Sequence, residues 1–238
     1  MTTTPTTVKV WDLPVRLFHW GLVTAIVSTW LSSEYAEQLN DPTLKWHRYN
    51  GYAILVLVVF RLIWGFVGST TARWSTFVVW PWIAARYGFD LIRGRDRKFL
   101  GHNPLGTYMI LGLLAAVAVQ ASLGLMVMEH NETTWGPLYK LLSEEAQKPV
   151  RYWHKQGLYW VILPLAGAHI AANVLYGLFK RDPLIRAMIT GRKPAADYED
   201  APEADVSREV AVRAVASLAL AAALVFGTIK ILGGKLLY

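Results

Sequence analysis

The chain contains no cysteine. That excludes thiolate metal sites, cysteine-held iron–sulfur clusters, covalent c-type haem attachment and structural disulfides. Charge is scarce as well: 17% of the 238 residues are Asp, Glu, Lys or Arg, against 54% hydrophobic. Mean hydropathy is positive. This balance excludes an ordinary soluble domain and points to a polytopic membrane protein with substantial loops. Residues 1–10 are Thr-rich and have no apolar h-region, so no cleaved signal peptide is expected. With cysteine gone, histidine is left as the strong ligand for a transition metal or haem.

Five apolar stretches are long enough to cross a bilayer, at about 17–33, 49–68, 104–128, 153–178 and 210–232. The first is short and is expected to extend at either end. The net charge of +7 reads as topology rather than nucleic-acid binding. Lys9 and Arg16 precede the first stretch. Arg73, Arg86, Arg93, Arg95, Arg97 and Lys98 follow the second, and Lys180, Arg181, Arg186, Arg192 and Lys193 follow the fourth. The other two loops are mixed or acidic, with Glu34, Glu37 and Asp41 in one and Glu129, Glu132, Glu144 and Glu145 in the other. The positive-inside rule then predicts a cytoplasmic N-terminus and a periplasmic C-terminus. Residues 74–93 are aromatic-rich and interrupted by Pro81, which predicts an amphipathic helix lying in the cytoplasmic interface. Three segments result: a transmembrane domain over 1–193, an acidic linker over 194–209 and a C-terminal transmembrane helix over 210–238. The last is Ala-rich, a composition suited to helix–helix contact.

Four histidines lie within or at the ends of these stretches: His19, His47, His154 and His169. An ionisable group inside a membrane span is costly and marks a functional site. His154 and His169 are fifteen residues apart on one stretch. On an even α-helix that is four turns plus ~60°, with a rise of ~22 Å, so one face would carry an imidazole near each side of the membrane. Depth then sets the pairs. His19 and His169 fall toward the cytoplasm, and His47 and His154 fall toward the outside. Each pair offers two axial nitrogens to one haem iron, which predicts two low-spin electron carriers without an open coordination site. The spare ring nitrogens should find partners that fix their tautomers.

Gly51 and Gly157 lie on the ligand face, where a missing side chain lets a flat porphyrin approach or lets helices pack. Arg16, Arg48, Arg151 and Lys155 lie near the histidines as propionate partners, or as cations reaching the interface. Arg61 comes fourteen residues after His47 and returns to within ~40° of its face. His102 and His130 flank the third stretch at its polar boundary and are expected to cap or to bond propionates rather than to ligate. A histidine-lined metal or proton transporter is the alternative of a different class. Against it, the five apolar stretches carry no Asp or Glu to join the histidines. A small membrane anchor with structural haems is a third reading.

The segments VWDLPVRLFHW (10–20), WHRYNGY (46–52), GHNPLG (101–106), WHKQG…HIAANVLYG (153–177) and AMITGRK (187–193) together resemble the bacterial di-haem cytochrome b561 family. The likeness is strongest to the branch of hydrogenase cytochrome b subunits. The resemblance implies an all-α integral membrane protein: a four-helix transmembrane bundle holding two non-covalent b haems. The ligands fall on His19, His47, His154 and His169. It also implies electron transfer across the bacterial inner membrane, between a redox partner (hydrogenase-like or a cytochrome c) and the quinone pool. Quinone is a possible second ligand, and some family members act on superoxide directly. The additional C-terminal transmembrane helix departs from the four-helix, superoxide-oxidising members.

Overall fold

The computed structural model describes residues 7–95, 97–129, 134–200, 204 and 207–236. Among them, α1 (Leu13–Glu34) and α2 (Lys45–Val67) are long helices. Two short ones follow, α3 (Trp74–Phe77) and α4 (Pro81–Ile92), and then α5 (Pro104–Met126). α6 (Glu144–Gly157), a π turn over Leu158–Ile162 and α7 (Leu163–Phe179) form one continuous run. α8 (Leu184–Thr190) and α9 (Arg208–Ile231) complete the helices. Among the described residues, four helices are long and apolar enough to cross a membrane: Lys45–Val67, Pro104–Met126, Glu144–Phe179 and Glu209–Ile231. α1 is of spanning length at 22 residues, but Arg16, His19 and its Ser and Thr residues lower its apolarity, and it is not among the four. Among the described residues the regular structure is mainly helical, with one short ribbon and an isolated bridge between Met128 and Trp135. β1 (Thr7–Lys9) pairs antiparallel with β2 (Arg192–Pro194), in register Thr7 to Pro194, Val8 to Lys193 and Lys9 to Arg192.

The π turn changes the helical phase expected from the sequence. Pro164 lacks an N–H, so the carbonyl four residues earlier loses its α-helical donor. Leu163 instead donates to the Leu158 carbonyl, an i to i+5 bond. The turn takes up one extra residue, so the even 100° per residue does not hold through this stretch.

Contacts divide the chain into two compact units. The first comprises Met1–Leu17, Leu62–Leu113 and Leu165–Val215. Here Asp12 caps α1. Val15 N donates to its Oδ1 at 2.6 Å, and Oδ2 accepts from Trp64 Nε1 at 3.1 Å and from the Ser69 hydroxyl. Gly191, at φ +79°, ends α8, and its carbonyl accepts from Val10 N at 2.9 Å. A Cβ there would meet the Trp11 carbonyl at 2.8 Å, so glycine is required twice over. Lys193 is fully buried and donates to the Phe99 carbonyl and to Asp182 Oδ2, both at 3.0 Å. Burial lowers its pKa, against the raising effect of Asp182 and Asp200. Asp200 accepts in turn from the backbone N–H groups of Leu100 and Gly101. Residues 74–93 are not one helix: Val78 and Trp80 are extended, and Pro81 opens α4. α4 buries Ala84 and Tyr87 and exposes the stacked Trp80–Trp82 pair, Phe89 and Ile92.

The second unit comprises Phe18–Arg61, Leu114–Pro164 and Ala216–Tyr238. One apolar cluster joins Ala25 of α1, Ile54 and Val58 of α2, Val117 of α5 and Ile162. Another joins Tyr52 and Leu55 of α2, Leu138, and Val225 and Ile229 of α9. Two polar residues fix the ends of helices. Buried Gln147 accepts from Met128 N and donates to the carbonyls of Met126 and Tyr139, tying α6 to the end of α5. Asp41 accepts from the N–H groups of Lys45 and Trp46, each at 2.9 Å, and so caps α2.

Candidate functional site

In the second unit, His47 near the start of α2 and His154 near the end of α6 face each other. Their ring centres are 6.0 Å apart and their planes are at 88°. Each Nδ1 lies against a backbone carbonyl: His47 against Thr29 O at 3.0 Å, His154 against Gln120 O at 3.2 Å. A carbonyl can only accept, so each Nδ1 is the protonated nitrogen and each Nε2 keeps its lone pair. Two imidazoles are thus set as donors through Nε2.

α5 supplies the walls of this site. A Cβ on Gly124 would come within 2.8 Å of His154 Cε1, so the glycine makes room for the ring. The Gln120 side-chain amide donates to the His154 carbonyl, while the Gln120 backbone carbonyl takes the His154 Nδ1–H. A Cβ on Gly157 would meet Gln120 Oε1 at 2.3 Å, so the space left by that glycine is taken by the amide. Gly51, in contrast, faces open space, with nothing within 4 Å of a Cβ. Around the pair, Arg151 Nε donates to the Met128 carbonyl at 2.7 Å and Lys155 pairs with Glu129 at 2.8 Å. Arg48 adjoins His47 in α2 and is half-buried. Arg61 is 3% exposed within the apolar length of α2, a position where a guanidinium is costly unless it serves a partner.

His19 and His169 belong to different units, and each is described in its own surroundings. His19 stands edge-on to Trp20, with ring centres 4.9 Å apart. His169 lies beside the Asn173 amide, whose Nδ2 is 3.3 Å from Nε2 and donates to the His169 carbonyl at 2.7 Å. Arg16 donates to the carbonyl of Ile189 at the end of α8. His102 packs between Trp11 and Phe77, at 4.6 and 4.4 Å between ring centres. His130 lies outside the described residues.

Thr29, Gln120, Gly124 and Asn173 are absent from the reading of the sequence. Gln120 did carry a signal: an amide within an otherwise apolar span needs a partner. Gly124 carried none, because its role depends on a ring thirty residues away.

A family description for prokaryotic cytochrome b561 matches residues 10–191. The chain belongs to the prokaryotic cytochrome b561 family. It is similar to the probable Ni/Fe-hydrogenase B-type cytochrome subunit of Rhizobium leguminosarum bv. viciae, at 24% identity over 221 residues, which cover 81% of this chain and 91% of that one. The protein of the same name from Bradyrhizobium diazoefficiens is 26% identical over 217 residues, covering 80% and 87%. That from Rhodobacter capsulatus is 26% identical over 222 residues, covering 81% and 83%. No solved structure matches.

A cytochrome b carries haem b, and the donor set around His47 fits such a group. Two metal–nitrogen bonds of about 2 Å, each with roughly 1 Å from nitrogen to ring centre, span about 6 Å; the observed spacing is 6.0 Å. Among the described residues, no three His, Asp or Glu side chains come together as metal ligands. A two-nitrogen site suits a metal that arrives with its own equatorial ligands, as in a porphyrin, better than a bare ion.

Proposed function

We propose that this cytochrome is a di-haem electron carrier of the bacterial inner membrane, passing electrons from a nickel–iron hydrogenase partner to the quinone pool. The observation that carries the reading is the His47–His154 pair, with both Nδ1–H groups committed to carbonyls and both Nε2 atoms left as donors. His47 and His154 would hold haem b, which would supply reversible one-electron chemistry there. His19 and His169 are the second pair in this reading, on the cytoplasmic side. The chain's own residues then do three things. The Thr29 and Gln120 carbonyls hold the imidazoles in one tautomer and orientation. The apolar cluster of Ala25, Ile54, Val58, Val117 and Ile162 excludes water from the second unit. Arg16, Arg48, Arg61, Arg151 and Lys155 offer cations to propionates, Arg61 from a buried position.

The partner follows from the relatives, which are named as hydrogenase cytochrome subunits and match along most of their length. Quinone as acceptor is the family expectation. The domain over 1–193 forms the haem-bearing bundle, residues 194–209 link it to a further span, and 210–238 supply that span, with the N-terminus cytoplasmic and the C-terminus periplasmic.

Hydrogen tests this reading directly. In membranes that contain the chain and its hydrogenase, admitting H₂ should reduce the b-type α band, and added oxidised quinone should reoxidise it. No reduction by H₂, with a hydrogenase active toward artificial dyes, would overturn the assigned partner.

A further inference from the structure

We propose that Gln120 is a positioning residue: with Gly124 and Gly157 it holds the His154 imidazole perpendicular to that of His47. This rests on the ligand reading above and adds to it what sets the ring's orientation. Three observations converge on this residue, one through its backbone and two through its side chain. The Gln120 backbone carbonyl accepts from His154 Nδ1 at 3.2 Å and stays in place in Gln120→Leu, so what the side chain adds is the hold on the backbone that carries the ring. The Gln120 amide donates to the His154 carbonyl, which fixes the backbone from which the ring projects. Two glycines then clear the space. Gly157 admits the amide, since a Cβ there would come within 2.3 Å of Oε1, and Gly124 admits the ring, since a Cβ there would come within 2.8 Å of Cε1.

The outcome is an angle of 88° between the His47 and His154 planes. The Thr29 carbonyl, on α1, accepts from His47 Nδ1, so the two rings donate hydrogen bonds to different helices. The π turn begins at Leu158, one residue after Gly157, so the backbone carrying His154 borders an irregular turn. A hydrogen bond across to α5 holds what the local helix does not.

Ligand-plane angle has a signature that packing alone does not move. Perpendicular imidazoles on low-spin ferric iron leave the metal d orbitals nearly degenerate and give a strongly axial electron paramagnetic resonance. Planes brought toward parallel give a rhombic one.

The test compares frozen-solution spectra of the purified wild type with Gln120→Leu, Gly157→Ala and Gly124→Ala, with Ser122→Ala on the same helix as control. His47→Ala identifies which signal belongs to this pair by removing it. The expected result is two haems per chain in Gln120→Leu, with the His47-dependent signal displaced toward rhombic and the other unchanged. Gly157→Ala should reproduce the shift by displacing the amide, which keeps the test decisive if Gln120→Leu does not accumulate. A His47-dependent signal unchanged in both variants would overturn the positioning role. If His47→Ala and His154→Ala each retain two haems, the ligand assignment itself fails, and that failure is distinct from the first.

Discussion

Asp12 commits both of its carboxylate oxygens, one to the first turn of α1 and one to Trp64 and Ser69. Its neighbours are buried, so a lost acceptor there is not replaced by water. Asp12→Asn keeps an oxygen for the cap but presents N–H to two donors. It should destabilise the protein by about 2–3 kcal/mol, read as a lowered midpoint of thermal unfolding in detergent. Asp41 supplies a pH dependence. Desolvation raises its pKa, but hydrogen bonds from Trp46 N and Lys45 N, then Thr43 and the Lys45 charge, outweigh it and leave the value below 3.8. A carboxyl depressed by folding stabilises the protein above its unfolded pKa and loses that contribution as pH falls through the folded value. Wild-type thermal stability should therefore fall below about pH 4, and Asp41→Asn should remove part of that fall. At this scale the sequence pointed to His47 and His154, whose ring centres the structure brings to 6.0 Å, because an imidazole in an apolar run has few other uses. It did not yield Gly124 or Thr29, whose roles are a gap and a carbonyl and leave no chemical mark. The space at Gly157 belongs to an amide, which spacing along a helix cannot reveal.

The long helices were legible as elements because runs of about 20 apolar residues have few alternatives. α1 extends to Leu13–Glu34, α2 begins at Lys45 and α6 starts at Glu144, each earlier than apolarity alone suggests, since polar N-terminal turns are capped by Asp12, Asp41 and Ser143. The β1–β2 ribbon was not legible: three-residue strands far apart in sequence carry no periodic signal. The π turn was not legible either, although Pro164 marked the place. α9 seats Val225 and Ile229 against Tyr52, Leu55 and Leu138. Ile229 is 1% exposed, so Ile229→Ala leaves a void. The cost should be about 2 kcal/mol, the low end of the range for such a change, because lipid rather than water competes for the face. Thermal unfolding in detergent should show the drop with the α-band absorbance unaltered.

Charge distribution governs the molecule as a whole. Lys and Arg gather at the N-terminus, in residues 69–103 and after the fourth apolar stretch. In the proposed orientation, which follows the positive-inside rule, those regions are cytoplasmic. A reporter active only outside the cytoplasm should be silent when fused near Arg192 and active when fused after Tyr238. The reverse pattern would invert the orientation. The central claim is that four histidines hold two haems, and haem stoichiometry tests it most directly. Pyridine haemochrome assay of the purified chain should give two acid-extractable b haems per polypeptide, one in His154→Ala, one in His19→Ala and two in His102→Ala. A wild-type value of one, or two haems retained in His154→Ala, would contradict the account.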